Sequence, residues 1–249
     1  MSEKLWDKFL TEADKKILGK TGLSTQVGFG ARPAILVIDV AWAFTGEQDE
    51  PLLESMEKWP LSCGHIAWKT LPAMKQLIEA GRAKGIPVIY TTYPTMRTDF
   101  WYAGAWAWKI STAGGNAPPP DGIDPNAVND AIKPGPKDIV VKKYKPSGFH
   151  GTPLNSFLNL LQVDSLMVVG GVTSGCLRAT VVDAFNENYR LAVIEEGCFD
   201  RFESSHAMNL FDMDAKYADV VHVEEATAHI ESLENGLFNL PRGLTDLSE

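Results

Sequence analysis

Four residues with chemically useful side chains lie at or just beyond the ends of short apolar segments. Asp39 ends the segment AILVID, Lys142 and Lys143 lie at the end of DIVVK, and Cys176 ends GGVTSGC, which follows the apolar segment SLMVV. If these segments are parallel strands, their carboxyl ends lie at one edge of a sheet, where ligands of such sheets bind. The sequence therefore predicts a carboxylate, an ammonium group and a thiol at one edge, the groups used in thiol-based acyl transfer.

Cys176 is the predicted nucleophile. A helical pattern starts at Ser174, so the thiol is expected in the first turn of a helix, where the helix dipole and unpaired N–H groups favour thiolate over thiol. A carboxylate can then take the thiol proton and return it to the leaving nitrogen, while backbone N–H groups around Thr173 and Cys176 receive the oxyanion. Structural interpretations stay open for each residue alone: packing for the cysteine, a turn cap for Asp39, and solvation for the lysines.

The segments around these residues alternate between two patterns. Six short runs rich in β-branched residues are separated by helix-length segments, several of which carry a helical apolar stripe. This alternation predicts an α/β protein, a three-layer α/β/α sandwich with a six-stranded, mostly parallel sheet. Residues 1–30 are interpreted as an N-terminal helix and arm that packs on a partner subunit, and residues 31–249 as a single domain.

Two long irregular segments, residues 47–64 and 93–136, interrupt the alternation. Loops of such length in a compact domain are usually lids, binding loops or interface elements. The second is rich in tryptophan, glycine and proline, and its Trp101 is a candidate for the wall of a substrate pocket, as is Trp42, which lies three residues after Asp39. An interface between subunits is the alternative place for these aromatic side chains.

Composition and charge exclude several classes of partner. The formal net charge of -9 disfavours nucleic acids and anionic membranes. No segment has the roughly 18–20 consecutive apolar residues of a membrane span, and the N-terminus has no apolar run of signal-peptide type, so the cytoplasm is expected. Three cysteines spread far apart argue against a disulfide framework and for a reducing compartment.

Motifs for metals and cofactors are missing from the sequence. The five histidines show neither HxH nor HExxH spacing, so no metal is expected. The segment GGVTSG lacks the lysine of a phosphate-binding loop and the spacing of a dinucleotide fingerprint, so no cofactor is expected either.

Three motifs carry a resemblance to a known family: ARPAILVIDVAWAFTG at 31–46, VVKKYKPSGFHGT at 140–152 and GGVTSGC at 170–176. In this order and spacing they resemble the isochorismatase-like cysteine hydrolases, and the resemblance covers about residues 25–230. It implies the isochorismatase-like hydrolase fold and a catalytic triad of Asp39, Lys143 and Cys176. Lys143 rather than Lys142 matches, because it precedes the Ser-Gly-Phe turn by the family's interval.

The resemblance also implies an oxyanion hole. It places a non-proline cis peptide between Val172 and Thr173, which would turn the N–H group of Thr173 toward the same point as that of Cys176. Nicotinamidases, a related branch, bind a metal through an aspartate and two histidines after the second strand. The corresponding stretch here, TTYPTMRTD at 91–99, contains no histidine.

Arg201 is the candidate for binding a substrate carboxylate, again by resemblance, and Arg97 in the irregular segment is a second candidate. The forked donors of a guanidinium match the two oxygens of a carboxylate. A structural ion pair of Arg201 with Asp200 or Glu203 is the alternative.

The function implied is that of a cysteine-dependent amidohydrolase. It would cleave a C–N bond in a small carboxylated amide or ureido (N-carbamoyl) substrate through a thioester, release ammonia, and work as a homo-oligomer, a dimer or tetramer. Maleamate, ureidoacrylate and nicotinamide stay open as substrates. A non-catalytic binding protein on the same fold also stays open, whereas Cys176 counts against the ether-hydrolysing isochorismatase reaction, whose branch typically lacks the active cysteine.

Overall fold

Six parallel strands form the centre of the molecule. A computed structural model describes residues 4–94, 104–109 and 122–240 of the protein. Across the sheet the order is β3-β2-β1-β4-β5-β6, and every neighbouring pair is parallel. The predicted six-stranded sheet is confirmed. The strands are β1 Pro33–Ile38, β2 Val88–Thr92, β3 Ile139–Lys142, β4 Ser165–Gly171, β5 Arg190–Phe199 and β6 Asp219–Val221.

Ten α-helices lie within the described ranges, with short 3-10 helices at Asp7–Phe9 and Asp130–Ile132 and a π-helical turn at Thr173–Leu177. The α-helices are α1 Glu12–Thr21, α2 Trp42–Thr45, α3 Leu52–Lys58, α4 His65–Trp68, α5 Leu71–Lys84, α6 Ala105–Lys109, α7 Leu154–Leu160, α8 Arg178–Asn186, α9 Glu203–Lys216 and α10 Val223–Ser232. None of the described helices is long and apolar enough to cross a membrane.

The helices form two layers, one on each face of the sheet. From β1 the chain moves outward to β2, and from β4 it moves outward in the opposite direction to β5. Because such crossovers are right-handed, α5 and α8 cover opposite faces. Helix α10 packs beside α5, and α9 packs beside α8. The predicted three-layer α/β/α sandwich is confirmed.

The core follows from the apolar runs of the central strands. All residues of β1, β2 and β4 are buried, as expected for a parallel sheet covered on both faces. Helix α5 buries Leu71, Met74, Leu77 and Ile78 at helical spacing against the sheet. Burial of each such side chain contributes roughly 1.5–3 kcal/mol to the free energy of unfolding.

The N-terminal arm is anchored at both ends while its helix is exposed. Trp6 is buried in the core, and Asp219 accepts hydrogen bonds from the N–H groups of Val27 and Gly28. Between these anchors, α1 buries no residue, and its Ile17 is 59% exposed. The division into an arm and a single domain, and packing of the arm on a partner subunit, stay predictions.

Candidate active site

The candidate site lies at the point in the sheet where the order of the strands reverses. Strands β1 and β4 are neighbours, and the chain leaves them toward opposite edges. A crevice forms beyond the carboxyl ends of the strands at such a point. Asp39 follows β1, Lys143 follows β3, and residues 172–177, called the cysteine loop below, follow β4.

Asp39 is held by the neighbouring strand β2. Its N–H group donates to the carbonyl oxygen of Thr91 at 3.1 Å, and its Oδ1 accepts from the hydroxyl of Thr91 at 2.8 Å. The backbone of Asp39 has a φ of 50°, a left-handed value that is uncommon outside glycine and better tolerated by aspartate than by most residues. Its side chain is only 1% exposed, so the carboxylate is fixed in direction and shielded from water.

Lys143 forms a buried ion pair with Asp39. Its Nζ lies 2.8 Å from Oδ2 of Asp39, and its side chain is 0% exposed. The approach to Oδ2 is that of an ion pair and not of a directed hydrogen bond, since Oδ2 has no well-aligned donor among the described residues. Nζ donates instead to the hydroxyl of Tyr93 at 2.8 Å and to the carbonyl oxygen of Lys145 at 3.1 Å. Lys142, by contrast, is exposed at the surface.

Cys176 lies in the π-helical turn between β4 and α8, and its residue is 4% exposed. Gly170 allows a close approach of β4 to β1. Its φ is 109°, and an added Cβ would lie 2.2 Å from the carbonyl oxygen of Ile38. The hydroxyl of Thr180 fixes the turn from behind by donating to the carbonyl oxygen of Cys176 at 2.7 Å.

The prediction for the cis peptide is wrong by one residue. The non-proline cis peptide joins Gly171 to Val172, and not Val172 to Thr173. This bond follows Gly171, the last residue of β4, which pairs with Phe199 of β5, so the cis peptide lies at the junction of the strand and the cysteine loop.

Three N–H groups of the cysteine loop are already engaged, and that of Leu177 donates to the carbonyl oxygen of Val172 at 3.3 Å. The N–H group of Ser174 donates to Oδ2 of Asp200 at 2.8 Å, and that of Gly175 donates to the carbonyl oxygen of Val172 at 2.9 Å. The oxyanion hole at the N–H groups of Thr173 and Cys176 stays a prediction.

The outer side of the cysteine loop is anchored to β5 and α9. Besides its N–H group, the hydroxyl of Ser174 donates to Asp200, at 2.6 Å. The hydroxyl of Thr173 donates to the carbonyl oxygen of Phe199 at 3.1 Å and lies 2.8 Å from Nδ1 of His206. Because the threonine proton is used toward Phe199, Nδ1 of His206 is the donor of that second bond. Burial lowers the pKa of His206 and favours this neutral form.

Tyr93 contacts the candidate nucleophile, and sequence reasoning missed it. Its hydroxyl lies 3.2 Å from Sγ of Cys176, and Nζ of Lys143 lies 4.0 Å from the centre of its ring. The sequence interpretation assigned Tyr93 to the long irregular segment. It is in fact the first residue after β2, so applying the strand-end argument to this strand as well would have found it.

Burial controls the protonation of the thiol. It raises the pKa of Cys176 to about 12, and the negative charge of Asp39 acts in the same direction. The charge of Lys143 and the hydrogen bond of Tyr93 lower this pKa, but they do not outweigh burial. Burial therefore acts against the helix terminus, which was expected to favour thiolate over thiol. Burial thus favours the protonated thiol, whose proton must leave before the sulfur can attack.

Arg201 is not a member of a structural ion pair within the described ranges. Its guanidinium donates to the carbonyl oxygen of Leu61 and lies 6.0 Å from the centre of the Phe44 ring, while its buried Nε has no hydrogen-bond partner there. Asp200 accepts from the backbone N–H group of Arg201, and Glu203 pairs with Lys8. The alternative of an ion pair with either acid is therefore wrong, and binding of a substrate carboxylate stays a prediction.

The remaining candidates are less well placed by the structure. Trp42 is the first residue of α2, lies three residues after Asp39 in the sequence, and is half-buried. Arg97 and Trp101 lie outside the described residues. In the described part of the chain, no group of three or more histidine, cysteine, aspartate or glutamate side chains is placed to hold a metal ion. That no metal or cofactor is used stays a prediction.

Known proteins match most of the chain. The model of the isochorismatase domain matches residues 33–225. The chain is 31% identical to N-carbamoylsarcosine amidase of Arthrobacter sp. over 239 residues, 94% of this chain and 85% of that protein. It is 30% identical to maleamate amidohydrolase of Pseudomonas putida over 214 residues, 84% of this chain and 91% of that protein.

A solved structure shows the same fold. A cysteine hydrolase from Pseudomonas syringae superposes with a TM-score of 0.71 at 22% identity, covering 86% of this chain and 99% of the other. Because the family model matches most of the chain and relatives of 30% identity or more are amidohydrolases, the chain belongs to the isochorismatase family and is a hydrolase that acts on C–N bonds of linear amides.

Proposed function

We propose that this protein is a cysteine amidohydrolase that releases ammonia from the N-carbamoyl or amide group of a small carboxylated substrate, through a thioester on Cys176. The observation that carries the proposal is the buried ion pair of Asp39 and Lys143 beside this thiol. A buried pair of charges costs free energy unless it is well matched, so its place at the ligand-binding edge of the sheet supports a catalytic role.

The first step is transfer of the thiol proton to Asp39. Oδ2 of Asp39 is buried and has no directed hydrogen bond within the described residues, so it can accept this proton. The sulfur then attacks the carbonyl carbon of the substrate, and the N–H groups of Thr173 and Cys176 receive the oxyanion. Lys143 compensates the negative charge as it moves from the carboxylate to the sulfur and the carbonyl oxygen.

The second step breaks the C–N bond. Asp39 returns the proton to the nitrogen, ammonia leaves, and the acyl group remains on the sulfur as a thioester. Water, deprotonated by Asp39, attacks the thioester and releases the thiol. With an amide substrate the product is a carboxylic acid, and with an N-carbamoyl substrate it is a carbamic acid, which loses carbon dioxide.

The proposed substrate class rests on Arg201 and on the relatives. The unpartnered Nε of Arg201 and its position directly after Asp200, which holds the cysteine loop, favour a carboxylated substrate. N-carbamoylsarcosine is the first candidate, and maleamate, ureidoacrylate and nicotinamide are the alternatives. Trp42, Arg97 and Trp101 are proposed to complete the pocket, and the protein is proposed to act as a homo-oligomer.

A substrate panel tests the proposal. The purified protein is incubated with N-carbamoylsarcosine, maleamate, ureidoacrylate and nicotinamide, and ammonia release is measured together with the intact mass of acid-quenched protein. We expect ammonia from at least one carboxylated member and a mass increase that maps to Cys176. A folded protein that releases no ammonia from any member, or that turns over without a covalent adduct on Cys176, would contradict the proposal, the former in favour of a binding protein.

A further inference from the structure

We propose that Tyr93 is a further catalytic residue, whose hydroxyl donates a hydrogen bond to Sγ of Cys176 and carries the influence of Lys143 to the sulfur. The inference rests on the proposed function for its role in turnover. Its effect on the thiol can be measured without any substrate.

The direction of the hydrogen bond follows from the donors present. An ammonium group has three donors and no acceptor. The bond of 2.8 Å between Nζ of Lys143 and the hydroxyl of Tyr93 therefore uses an oxygen lone pair. The phenol proton is then free to point at Sγ of Cys176, which lies 3.2 Å away. The three groups form a chain in which each donor faces the next acceptor, from nitrogen to oxygen to sulfur.

Lys143 reaches the sulfur through this chain. Within the described ranges its Nζ contacts Asp39, Tyr93 and the carbonyl oxygen of Lys145, and it makes no hydrogen bond to Sγ. Hydrogen bonds in series polarise one another in a medium of low dielectric constant. The phenol proton is therefore the group placed to stabilise a negative charge on the sulfur at the moment Asp39 takes the thiol proton.

The structure holds Tyr93 in this position and keeps it protonated. The residue directly follows β2, and its ring packs against Trp106 with centres 5.7 Å apart. Burial raises the pKa of Tyr93 well above its ordinary value, and Asp39 and Cys176 raise it further. Burial therefore favours the protonated phenol, which can donate a hydrogen bond.

Charged and titratable groups face Cys176 from three neighbouring strands: Asp39 after β1, Tyr93 after β2 and Lys143 after β3. Asp200, after β5, is bonded to Ser174 on the outer side of the cysteine loop. Removal of the Tyr93 hydroxyl leaves the other charges in place and takes away one hydrogen bond to sulfur. The pKa of the Cys176 thiol should therefore rise in Tyr93→Phe.

The experiment measures alkylation of Cys176 by iodoacetamide, followed by peptide mass spectrometry, between pH 8 and 10.5. Below the pKa the rate is proportional to the fraction of thiolate. We expect Tyr93→Phe to lower the rate at each pH by about ten- to a hundredfold, the range for loss of a hydrogen bond to a charged group. Ammonia release should show a similar loss in kcat with KM little changed. Tyr189→Phe, which removes a hydroxyl bonded to Asn155, is the matched control and should change neither.

Replacement of Tyr93 by 3-fluorotyrosine gives a second test with the opposite sign. A more acidic phenol is a stronger donor, so alkylation of Cys176 at a given pH should become faster. An unchanged alkylation rate in folded Tyr93→Phe, or a slower one with 3-fluorotyrosine, would overturn the inference. Failure of the proposed function has a different signature: the alkylation rates would shift as expected while no member of the substrate panel released ammonia.

Discussion

Two buried cysteines at the same pair of strands differ in what surrounds them. Cys176 follows β4, and Cys198 lies in β5 beside Gly170 of β4. Burial raises the pKa of both thiols, to about 12 for Cys176 and higher still for Cys198. Glu195 and Glu196 raise the pKa of Cys198 further, and its thiol donates to the carbonyl oxygen of Ile194 at 3.1 Å. Lys143 and Tyr93 act in the opposite direction on Cys176.

The comparison shows that burial alone cannot distinguish a nucleophile from a packing residue. Burial favours the protonated form of both thiols. The distinction lies in the groups that can take the proton and compensate the charge, namely Asp39, Lys143 and Tyr93. Cys198 is surrounded by a carbonyl oxygen and carboxylates, which oppose thiolate formation.

Alanine substitution of the two cysteines should give the largest difference. Cys176→Ala should lower ammonia release by at least about a thousandfold, because no other group can form the thioester. Cys198→Ala removes a small buried side chain and should retain activity within about threefold at a modest loss of stability. Steady-state rates, with circular dichroism to verify folding, measure both. Comparable losses in the two folded variants would remove the proposed nucleophile.

The two neighbouring lysines test the charge that distinguishes the two cysteine environments. Lys143→Met leaves Asp39 buried without its partner, which should lower the free energy of unfolding by about 3–5 kcal/mol and abolish activity. Lys142→Met, at the exposed position, should change the free energy of unfolding by no more than about 0.5 kcal/mol. Urea denaturation of both variants gives the comparison. A stable Lys143→Met protein would mean that Asp39 is protonated or solvated and is not held as a buried carboxylate.

Gly170 tests whether the sheet itself must bring the two cysteine strands together. In Gly170→Ala the new Cβ would lie 2.2 Å from the backbone oxygen of Ile38, at a φ of 109°, so β4 must move away from β1. A loss of about 2–4 kcal/mol is expected, with loss of activity as Asp39 and Cys176 separate. Gly19→Ala, in exposed α1 with nothing within 4 Å, should instead stabilise by roughly 0.5–1 kcal/mol. Thermal and urea denaturation would show whether the two substitutions change the free energy of unfolding in opposite directions.

The sequence predicted the sheet well because its signals were repeated. Apolar runs in six places fix a parallel sheet, and polar residues at strand ends identify Asp39 and Lys143 once the family's spacing is added. Tyr93 was missed because it stands at the boundary between β2 and a long irregular segment. Such boundaries are the least certain part of any interpretation from periodicity.

Properties that depend on three-dimensional surroundings could not be predicted in the same way. The protonation of Cys176 results from competition between burial and nearby charges, and sequence spacing carries no measure of burial. The cis peptide was misplaced by one residue, at the junction of β4 and the cysteine loop. The direction of Arg201 likewise depends on Leu61, which is distant in sequence.

The smallest predicted effect is that of two histidines on the pH dependence of the free energy of unfolding. One of them, His206, contacts the cysteine loop. Burial lowers the pKa of His206, so the unfolded chain binds a proton first as pH falls. The contribution of His206 to the free energy of unfolding is therefore fully present above about pH 6.5, the ordinary histidine pKa. It is lost as pH falls through the pKa of His206 in the folded protein. For one proton, the free energy of unfolding cannot change by more than about 1.4 kcal/mol per pH unit.

His222 should behave in the opposite way. Its hydrogen bond to Glu196 raises its pKa, so its contribution is present at low pH and is lost as pH rises through the pKa of the folded protein. Urea denaturation between pH 5 and 7.5 should give a flatter profile for His206→Gln than for the unmodified protein, and a steeper rise with pH for His222→Gln. If His206→Gln left the slope unchanged, burial would not lower the pKa of His206 in the folded protein. The anchored side of the cysteine loop would then be insensitive to acid in this pH range.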